Sequence, residues 1–364
     1  MLPDESRLGF DKLVNLFEQT QTELQRQAAR SVDRALVVRN WLFGWYIVEY
    51  ENAGVERSEL YGKKLLDRLA DKLKKTGIRG ASPTNLRLFR KFYLSYEKIQ
   101  QTVSAESFLP QIGQVDVEQM VSAEFTGKFT LGWSHYVVLL TLDDADERSF
   151  YEIEAGRSNW SVREMKRQIG SSLYERLALS RDKEQIKALS EKGQLVESAD
   201  DIIKDPYVLE FLNLSEKPGY SEYELETAII DKLEHFLLEL GRGFLFEARQ
   251  KRFTFDDDHF FVDLVFYNRL LRCYVLIDLK RDKLTHQDLG QMQMYVNYFD
   301  RYVKIDDEAP TVGIVLCHRK HDALVELTLP SDSNIYAAKY QLYLPSKEEL
   351  RQHIMASLKE QEGA

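Results

Sequence analysis

Cysteine is almost missing from this chain of 364 residues, which contains only Cys273 and Cys317. Both lie in apolar runs typical of buried strands, so we expect reduced core residues without a metal or redox role. Long apolar runs are also missing, because none approaches the ~18 residues of a membrane span. The N-terminal segment MLPDESRLGFDK carries acids in place of the basic flank and apolar stretch of a signal peptide. We therefore expect a soluble, cytoplasmic protein without a membrane partner.

Positive charge is in the minority, with 49 Lys and Arg against 59 Asp and Glu and a formal net charge of -10. A chain that is a polyanion as a whole does not attract nucleic acid as a whole, so such a function must depend on a local basic patch. The hydrophobic content of 44%, with 12% aromatic residues, is sufficient for the packed cores of two or three domains.

A local basic patch is present in the N-terminal part, where apolar residues from about 10 to 99 recur at helical spacing. Between residues 63 and 91 there are ten basic residues and two acidic ones, a local charge of +8. The basic residues are Lys63, Lys64, Arg68, Lys72, Lys74, Lys75, Arg79, Arg87, Arg90 and Lys91. The sign of this segment is opposite to that of the whole chain, which favours a contact with a polyanion.

The same segment has the outline of a helix-turn-helix. Residues 77–81 (GIRGA) form a turn, and Ser82 followed by Pro83 is a good helix start. Helix, short turn and basic helix is the arrangement of a DNA reader, so we name Arg79, Arg87, Arg90 and Lys91 as candidate nucleic-acid contacts. The alternative is an ordinary solvated helical face.

Domain boundaries are suggested by a polar, acidic stretch at 197–205 and by residues 217–219 (KPG). We expect a mostly helical, nucleic-acid-binding domain over 1–195, a linker over 196–220 and a second domain over 221–364. Ser221 and Glu224 form a capping box that opens a helix running to Leu240. Glu226 lies at the edge of the apolar stripe of this helix and needs a partner there.

Three apolar strands follow, at 244–255, 260–267 and 273–280, and their short turns predict an antiparallel meander. Asp263 is the only charge in the second strand. Asp278 and Lys280 are two residues apart in the third, so the period of a strand places both on one face. Carboxylates that hold Mg²⁺, with a lysine beside them, are the equipment of phosphodiester hydrolysis. The alternative is a buried Asp-Lys ion pair, with Asp263 bound by backbone amides.

Downstream, Gln291 and Tyr295 are four residues apart on one face of a predicted helix at 284–302. A strand at 311–317 and a helix from about His321 complete an order of helix, three strands, helix, strand and helix. This order predicts a mixed α/β (α+β) core with a mixed central sheet flanked by helices.

The segments FFVDLVFYN, CYVLIDLK and LGQMQMY resemble the PD-(D/E)XK nuclease superfamily, and specifically the bacterial YhcG-like family. The upstream segments LYGKKLLDRLADKL, SPTNLRLFRKFY, LGWSHYVVLL, FYEIEAGRSNWSVREMKRQI and LYERLA are similar to the N-terminal domain of that family. The resemblance covers nearly the whole chain. It implies a restriction-endonuclease-like core in the C-terminal domain and a DNA-binding, helix-turn-helix type of domain before it.

The resemblance also implies roles for individual residues. Asp263 and Asp278 would bind Mg²⁺ or Mn²⁺, and Lys280 would be the catalytic lysine. Gln291 and Tyr295 would match the Q-x-x-x-Y helix motif of some branches. Glu226 would be the acid of the first helix and a third metal ligand, with Glu222 as the alternative. Asp278 departs from relatives that carry glutamate there, which could shift metal preference.

We therefore expect a Mg²⁺-dependent nuclease, of the endonuclease type, that acts on DNA. RNA or branched DNA is the alternative substrate, and a nucleic-acid-binding regulatory or assembly protein with a catalytically idle nuclease fold is the alternative function. The resemblance also suggests partners from restriction or mobile-element defence systems, and a homo-oligomer is left open.

Overall fold

The computed structural model of this chain describes residues 33–52, 63–96, 127–179, 183–214, 219–255, 257–320, 322–330, 333–344, 346–352 and 354. The chain divides into two compact units, Met1–Val162 and Arg163–Ala364, which are described separately. This division assigns residues 163–195, which we expected in the N-terminal domain, to the second unit.

The described part of the first unit is helical. Its helices are α1 at residues 33–52, α2 at Lys63–Lys75, α3 at Pro83–Ser95, α4 at Trp133–Leu139 and α5 at Ala145–Ser158. Helix α3 begins as predicted, with Ser82 as the N-cap: its Oγ accepts a hydrogen bond from Asn85 N at 3.2 Å. Gly44 of α1 lies so close to α3 that an added Cβ would be 2.0 Å from Phe89 O, so only glycine fits there.

The helices of the second unit surround one sheet. They are α6 at Val162–Gly170, α7 at Leu173–Ala178, α8 at Lys183–Lys192, α9 at Glu222–Asp231, α10 at Leu233–Leu240, α11 at His286–Tyr302 and α12 at Asp322–Thr328. Ser221 caps α9 in the predicted capping box. The single helix predicted from Ser221 to Leu240 is wrong in one respect, because it is interrupted at Lys232, whose φ of -120° leaves the helical region.

The sheet has six strands in the order β1-β6-β5-β4-β3-β2. The strands are β1 at Tyr207–Val208, β2 at Phe244–Phe255, β3 at Asp258–Asn268, β4 at Cys273–Lys283, β5 at Val312–Arg319 and β6 at Ile335–Gln341. Strands β2, β3 and β4 are antiparallel, which confirms the predicted meander, and β4, β5, β6 and β1 are parallel neighbours. The predicted mixed α/β fold is therefore confirmed.

Strands β1 and β6 were not predicted. Strand β1 lies within 196–220, the segment expected to be a linker, and its two residues are fully buried beside β6. Two residues are too few to show a strand period, and the acidic stretch before them resembles a solvated connection. In the structure this segment instead completes one edge of the sheet.

The sheet has an apolar layer on each face. Leu264 and Ile277 point to the layer that includes Leu225, Ile229 and Phe236 of α9 and α10. Val265 and Leu276 point to the opposite layer, which includes Leu289, Met292 and Tyr295 of α11. The alternation of side chains along each strand separates the two layers, and the layer with α11 is the face to which Asp263, Asp278 and Lys280 belong by the same alternation.

A buried ion pair connects the segment before β1 to α10. Arg176 of α7 donates to the carboxylate of Glu239, and both side chains are completely buried. Lys204 donates to Glu239 O. Burial would raise the pKa of Glu239, but Arg176, Lys204 and Arg167 together hold that pKa below its ordinary value. These contacts explain why the helices after Val162 belong to the second unit.

The two cysteines are free and buried, as predicted. Burial raises the pKa of each thiol to about 11, so both remain protonated at neutral pH. Within the described ranges, no helix has both the length and the apolar character needed to cross a membrane.

Candidate active site

The candidate site lies where the regular pairing of β3 with β4 ends. The ladder runs from Asn268 opposite Cys273 to Leu264 opposite Ile277, and Asp263 and Asp278 are the next residues on each strand. Beyond this point a side chain replaces the backbone carbonyl as the hydrogen-bond acceptor between the strands: Asp263 Oδ2 accepts from Leu279 N at 2.8 Å. The end of the ladder therefore brings the two acids to one place.

Lys280 contacts Asp278 directly. Its Nζ lies 2.7 Å from Asp278 Oδ2 and 3.9 Å from Oδ1 of Asp288, an acid in the first turn of α11. Asp278 is only 2% exposed. The strand pattern placed Asp278 and Lys280 on one face, and the structure brings Asp263 of the neighbouring strand close to them. It also adds Asp288, which the sequence analysis did not name.

Burial and the proximity of Asp263 to Asp278 disfavour the ionisation of both carboxyl groups at once. Burial, followed by the neighbouring Asp263, raises the pKa of Asp278 to about 7 against the opposing effect of Lys280. Burial also raises the pKa of Asp263, although hydrogen bonds from Leu279 and Gln250 oppose it. Burial lowers the pKa of Lys280, but Asp278 outweighs it and the net change is upward, so the amine stays charged. A pair of buried carboxylates of this kind is stabilised by added positive charge.

Glu226 of α9 is connected to this pair through Gln250. Gln250 Nε2 donates to Glu226 Oε2 at 2.6 Å and to Asp263 Oδ1 at 2.9 Å, while Arg249 Nε donates to Glu226 Oε1. The backbone φ of Gln250 is +47°, which a residue other than glycine rarely adopts and which costs about 1–2 kcal/mol. Strain of this kind persists where surrounding contacts enforce it, often in functional sites.

Gln250 was missed by the sequence analysis. The pairing of β2 with β3 shifts by one residue between Phe246 and Ala248. A bulge of this type changes the alternation of side chains along the strand, so the apolar pattern of β2 does not show which residues face Asp263. A glutamine between Arg249 and Lys251 also resembles any exposed strand position, so no signal in the sequence identified it.

Gln291 and Tyr295 of α11 form a pair, as their spacing of four allows. Gln291 Nε2 donates to the hydroxyl of Tyr295. Burial, followed by the charge of Asp278, raises the pKa of Tyr295 to about 12. The phenol is therefore neutral and responds to the charge of the carboxylate pair.

The residues present fit a divalent cation held by two carboxylates. Asp278 Oδ2 is buried, and its close polar neighbour is the ammonium of Lys280 at 2.7 Å, with no hydrogen bond from any other residue in the described ranges. Mg²⁺ is usually bound by one or two carboxylates, several waters and substrate phosphate oxygens. No group of three or more His, Cys, Asp or Glu side chains is positioned for a metal in the part of the chain that the structure describes. Asp263 and Asp278 are the candidate ligands, whereas the negative charge of Glu226 is already neutralised by an ion pair with Arg249.

The candidate nucleic-acid contacts lie in the first unit. Arg79, Arg87 and Lys91 are exposed, and Arg87 is 4.0 Å from Asp67. Arg90 instead donates to Glu51 Oε2 at 2.8 Å. All four side chains reach solvent at least in part, and Arg90 forms a close ion pair within the unit whereas that of Arg87 is long.

Comparison with known proteins gives a family for both parts of the chain. Residues 200–355 match the family described as the YhcG PDDEXK nuclease domain, and residues 17–176 match the DUF1016 N-terminal domain. The YhcG protein of Escherichia coli (strain K12) is 39% identical over 361 residues, which are 95% of this chain and 92% of that protein. The chain belongs to the YhcG family.

Two solved structures match a part of this chain. One is described as the structure of an EndoMS-dsDNA2 complex, with 19% identity, 37% of this chain and 48% of the other covered, and a TM-score of 0.25. The other is a repair endonuclease from Pyrococcus abyssi, with 20% identity, 35% of this chain and 49% of the other covered, and a TM-score of 0.24. The chain matches only about half the length of each.

Proposed function

We propose that this YhcG-family protein is a divalent-metal-dependent nuclease that cleaves phosphodiester bonds within DNA. The observation that carries the proposal is the meeting of Asp263, Asp278 and Lys280 where the β3–β4 ladder ends, with Asp278 almost completely buried against the Lys280 amine. A structural ion pair would need only Asp278 and Lys280. The additional carboxylate of Asp263 makes the site electrostatically less favourable. A bound cation would offset this cost and would explain why Asp263 and Asp278 lie together.

Each residue then has a definite task. Mg²⁺ or Mn²⁺ between the two carboxylates would supply positive charge to the phosphate and to a bound water. Lys280, charged and 17% exposed at its side chain, can donate to a phosphate oxygen whose negative charge increases in the transition state. Gln250 orients Asp263 by a hydrogen bond, and Tyr295 of α11 contributes a neutral hydroxyl.

The basic segment of the first unit would bring the nuclease domain to its substrate. Arg79, Arg87 and Lys91 present positive charge to solvent on and beside α3, in a chain whose net charge is -10. Such a local patch can bind the phosphate backbone without recognising sequence. This supports nucleic acid as the substrate, and the helix-turn-helix arrangement favours DNA over RNA.

A plasmid assay with the purified full-length chain tests the nuclease proposal. Closed circular DNA, linear duplex, branched DNA, single-stranded DNA and RNA are incubated with Mg²⁺, Mn²⁺ or a chelator. We expect metal-dependent nicking or linearisation of the closed circle, which an exonuclease cannot attack. The variant Lys280→Met should lose this activity, whereas Lys232→Met, an exposed lysine between α9 and α10, should retain it.

A binding measurement keeps this test independent of turnover. Mn²⁺ should bind the wild type in titration calorimetry, and Asp278→Asn should weaken that binding at least tenfold, the lower end of the effect of disturbing a metal site. Equal cleavage by Lys280→Met and wild type would contradict the assigned catalytic core. DNA binding that is weakened by salt, without cleavage of any substrate in either metal, would instead identify an idle nuclease fold.

A further inference from the structure

A groove of about 350 Å³ lies between the end of β2 and the exposed face of α11. Its volume is within the range of about 300–1,000 Å³ that is usual for small-ligand clefts. Aromatic, amide and guanidinium side chains line it, among them Phe253, Phe255, Gln293, Tyr298, Arg301 and Tyr302. None of these residues is a candidate metal ligand or catalytic group, so the groove is a separate feature of the second unit.

The aromatic rings of the groove form a ladder. Phe253 stacks on Tyr298 with ring centroids 4.1 Å apart and an angle of 21° between the planes, and Tyr298 lies 5.2 Å from Tyr302. The outer rings remain open to solvent, since Tyr302 is 64% and Phe255 is 58% exposed. Rings that served only as core packing would be covered on both faces. The exposed faces therefore offer a surface on which another flat ring can stack.

The polar groups of the groove suit an anion attached to that ring. Arg301 is exposed and forms no ion pair with any residue in the described ranges. Gln293 and Asn297 place amide groups on the same face of α11. Aromatic faces for a base, with a cation for the backbone, are the features by which proteins hold a single nucleic-acid strand.

One wall of the groove adjoins Tyr295, a residue of the candidate active site. Phe253 contacts Tyr295 edge to face, with centroids 5.5 Å apart. Tyr295 in turn is bonded to Gln291, and the charge of Asp278 contributes to its raised pKa. Because α11 carries both Tyr295 and the groove residues from Gly290 to Tyr302, a strand held at the carboxylates can extend along this helix into the groove.

We propose that this groove binds an unpaired base of the strand that is cleaved, so that the substrate is single-stranded or locally unpaired nucleic acid. The proposal rests on the nuclease function proposed above and specifies its substrate. A base within a duplex has both faces covered by its neighbours. Only a base that has left the stack can expose a face to Tyr302 and Phe255.

Fluorescence of 2-aminopurine tests the groove without cleavage. The full-length protein, in chelator, is titrated into a single-stranded oligonucleotide that carries this base and into the matching duplex. We expect quenching and tighter binding with the single strand. Tyr302→Ala and Phe255→Ala should each weaken that binding by roughly 5- to 150-fold, because both remove a stacking ring. Both positions are largely exposed, so these variants should fold.

Three matched variants distinguish stacking from other effects. Tyr302→Phe keeps the ring and should bind like the wild type. Tyr343→Ala removes a 46% exposed ring beyond β6, on the opposite side of the sheet order from β2, and should also have no effect. Arg301→Gln should lower the slope of log affinity against log salt by about one.

The outcomes separate this proposal from the nuclease proposal. Equal binding by the wild type, Tyr302→Ala and Phe255→Ala, or an equal loss in Tyr343→Ala, would overturn the groove even if cleavage that depends on Lys280 is observed. Equal quenching of 2-aminopurine in the single strand and in the matching duplex would also overturn it, because duplex binding through the basic segment of the first unit does not place a base in the groove. Ring-dependent quenching in a protein that cleaves no substrate would support the groove and reject the nuclease.

Discussion

Gln250 permits a test that separates the strain of its backbone from its effect on the orientation of Asp263. We compare Gln250→Gly with Gln250→Ala. Both variants lose the hydrogen bonds to Glu226 and Asp263, so the difference between them reports only on the backbone at φ +47°. Glycine within a strand normally costs about 0.5–1 kcal/mol relative to alanine. A left-handed conformation costs a residue with a Cβ about 1–2 kcal/mol, which glycine avoids.

The balance of these two effects favours glycine. We expect Gln250→Gly to be more stable than Gln250→Ala by roughly 0.5–1 kcal/mol. Lys251, the next residue of β2, is not among the residues with positive φ and is the matched control. There the order should reverse, with Lys251→Gly less stable than Lys251→Ala by about 0.5–1 kcal/mol. Both variants at Gln250 should lose activity about 10- to 100-fold, because Asp263 is no longer oriented.

Native-state hydrogen exchange of peptides from β2, β3 and β4 is the suitable measurement of stability. It reports on this sheet alone, whereas the four tryptophans, Trp41, Trp45, Trp133 and Trp160, all belong to the first unit. Cleavage is followed at a series of Mg²⁺ concentrations. Both Gln250 variants should need a higher Mg²⁺ concentration than the wild type to reach their half-maximal rate. If glycine is the less stable replacement at both positions, the strain argument fails. If both Gln250 variants cleave like the wild type, Gln250 does not position Asp263.

Three other predictions concern charges. Because the pKa of Asp278 is raised to about 7 in the folded protein, the folded state holds its proton more tightly than the unfolded state. The free energy of unfolding should therefore decrease as the pH rises from about 4 to about 7, by at most about 1.4 kcal/mol per pH unit. In denaturant titrations over this pH range, the free energy of unfolding of Asp278→Asn should depend less on pH than that of the wild type. The same pH dependence in both proteins would contradict this. Arg176→Met leaves Glu239 buried without its main partner and should destabilise the second unit by about 3–5 kcal/mol. The double variant with Glu239→Gln should recover part of this stability. Full stability of the single variant in urea unfolding would show that the ion pair is dispensable. Lys91→Ala should reduce the salt dependence of DNA binding more than Arg90→Ala does, because Arg90 is held by Glu51. A larger reduction in Arg90→Ala, measured by filter binding, would argue against α3 as the DNA contact.

Local patterns in the sequence predicted many of the elements that build the site. The period of a strand placed Asp278 and Lys280 on one face, and short turns gave the antiparallel order of β2, β3 and β4. The capping boxes at Ser221 and the start of α3 at Ser82 follow from neighbouring residues alone. The spacing of four between Gln291 and Tyr295 was enough to pair them. These features depend on neighbours within a few residues, where periodicity and capping chemistry act.

Contacts between distant segments decided the rest. Gln250 reaches Glu226 and Asp263 only because a shift of register in β2 turns it toward them. Strand β1 is two residues long and is recognisable only beside β6. The helices after Val162 belong to the second unit because of contacts such as that between Arg176 and Glu239, 63 positions apart. A periodic pattern records which side of an element is apolar, but it does not contain the register, the bulges or the partners of that element, which are fixed only when all segments pack together.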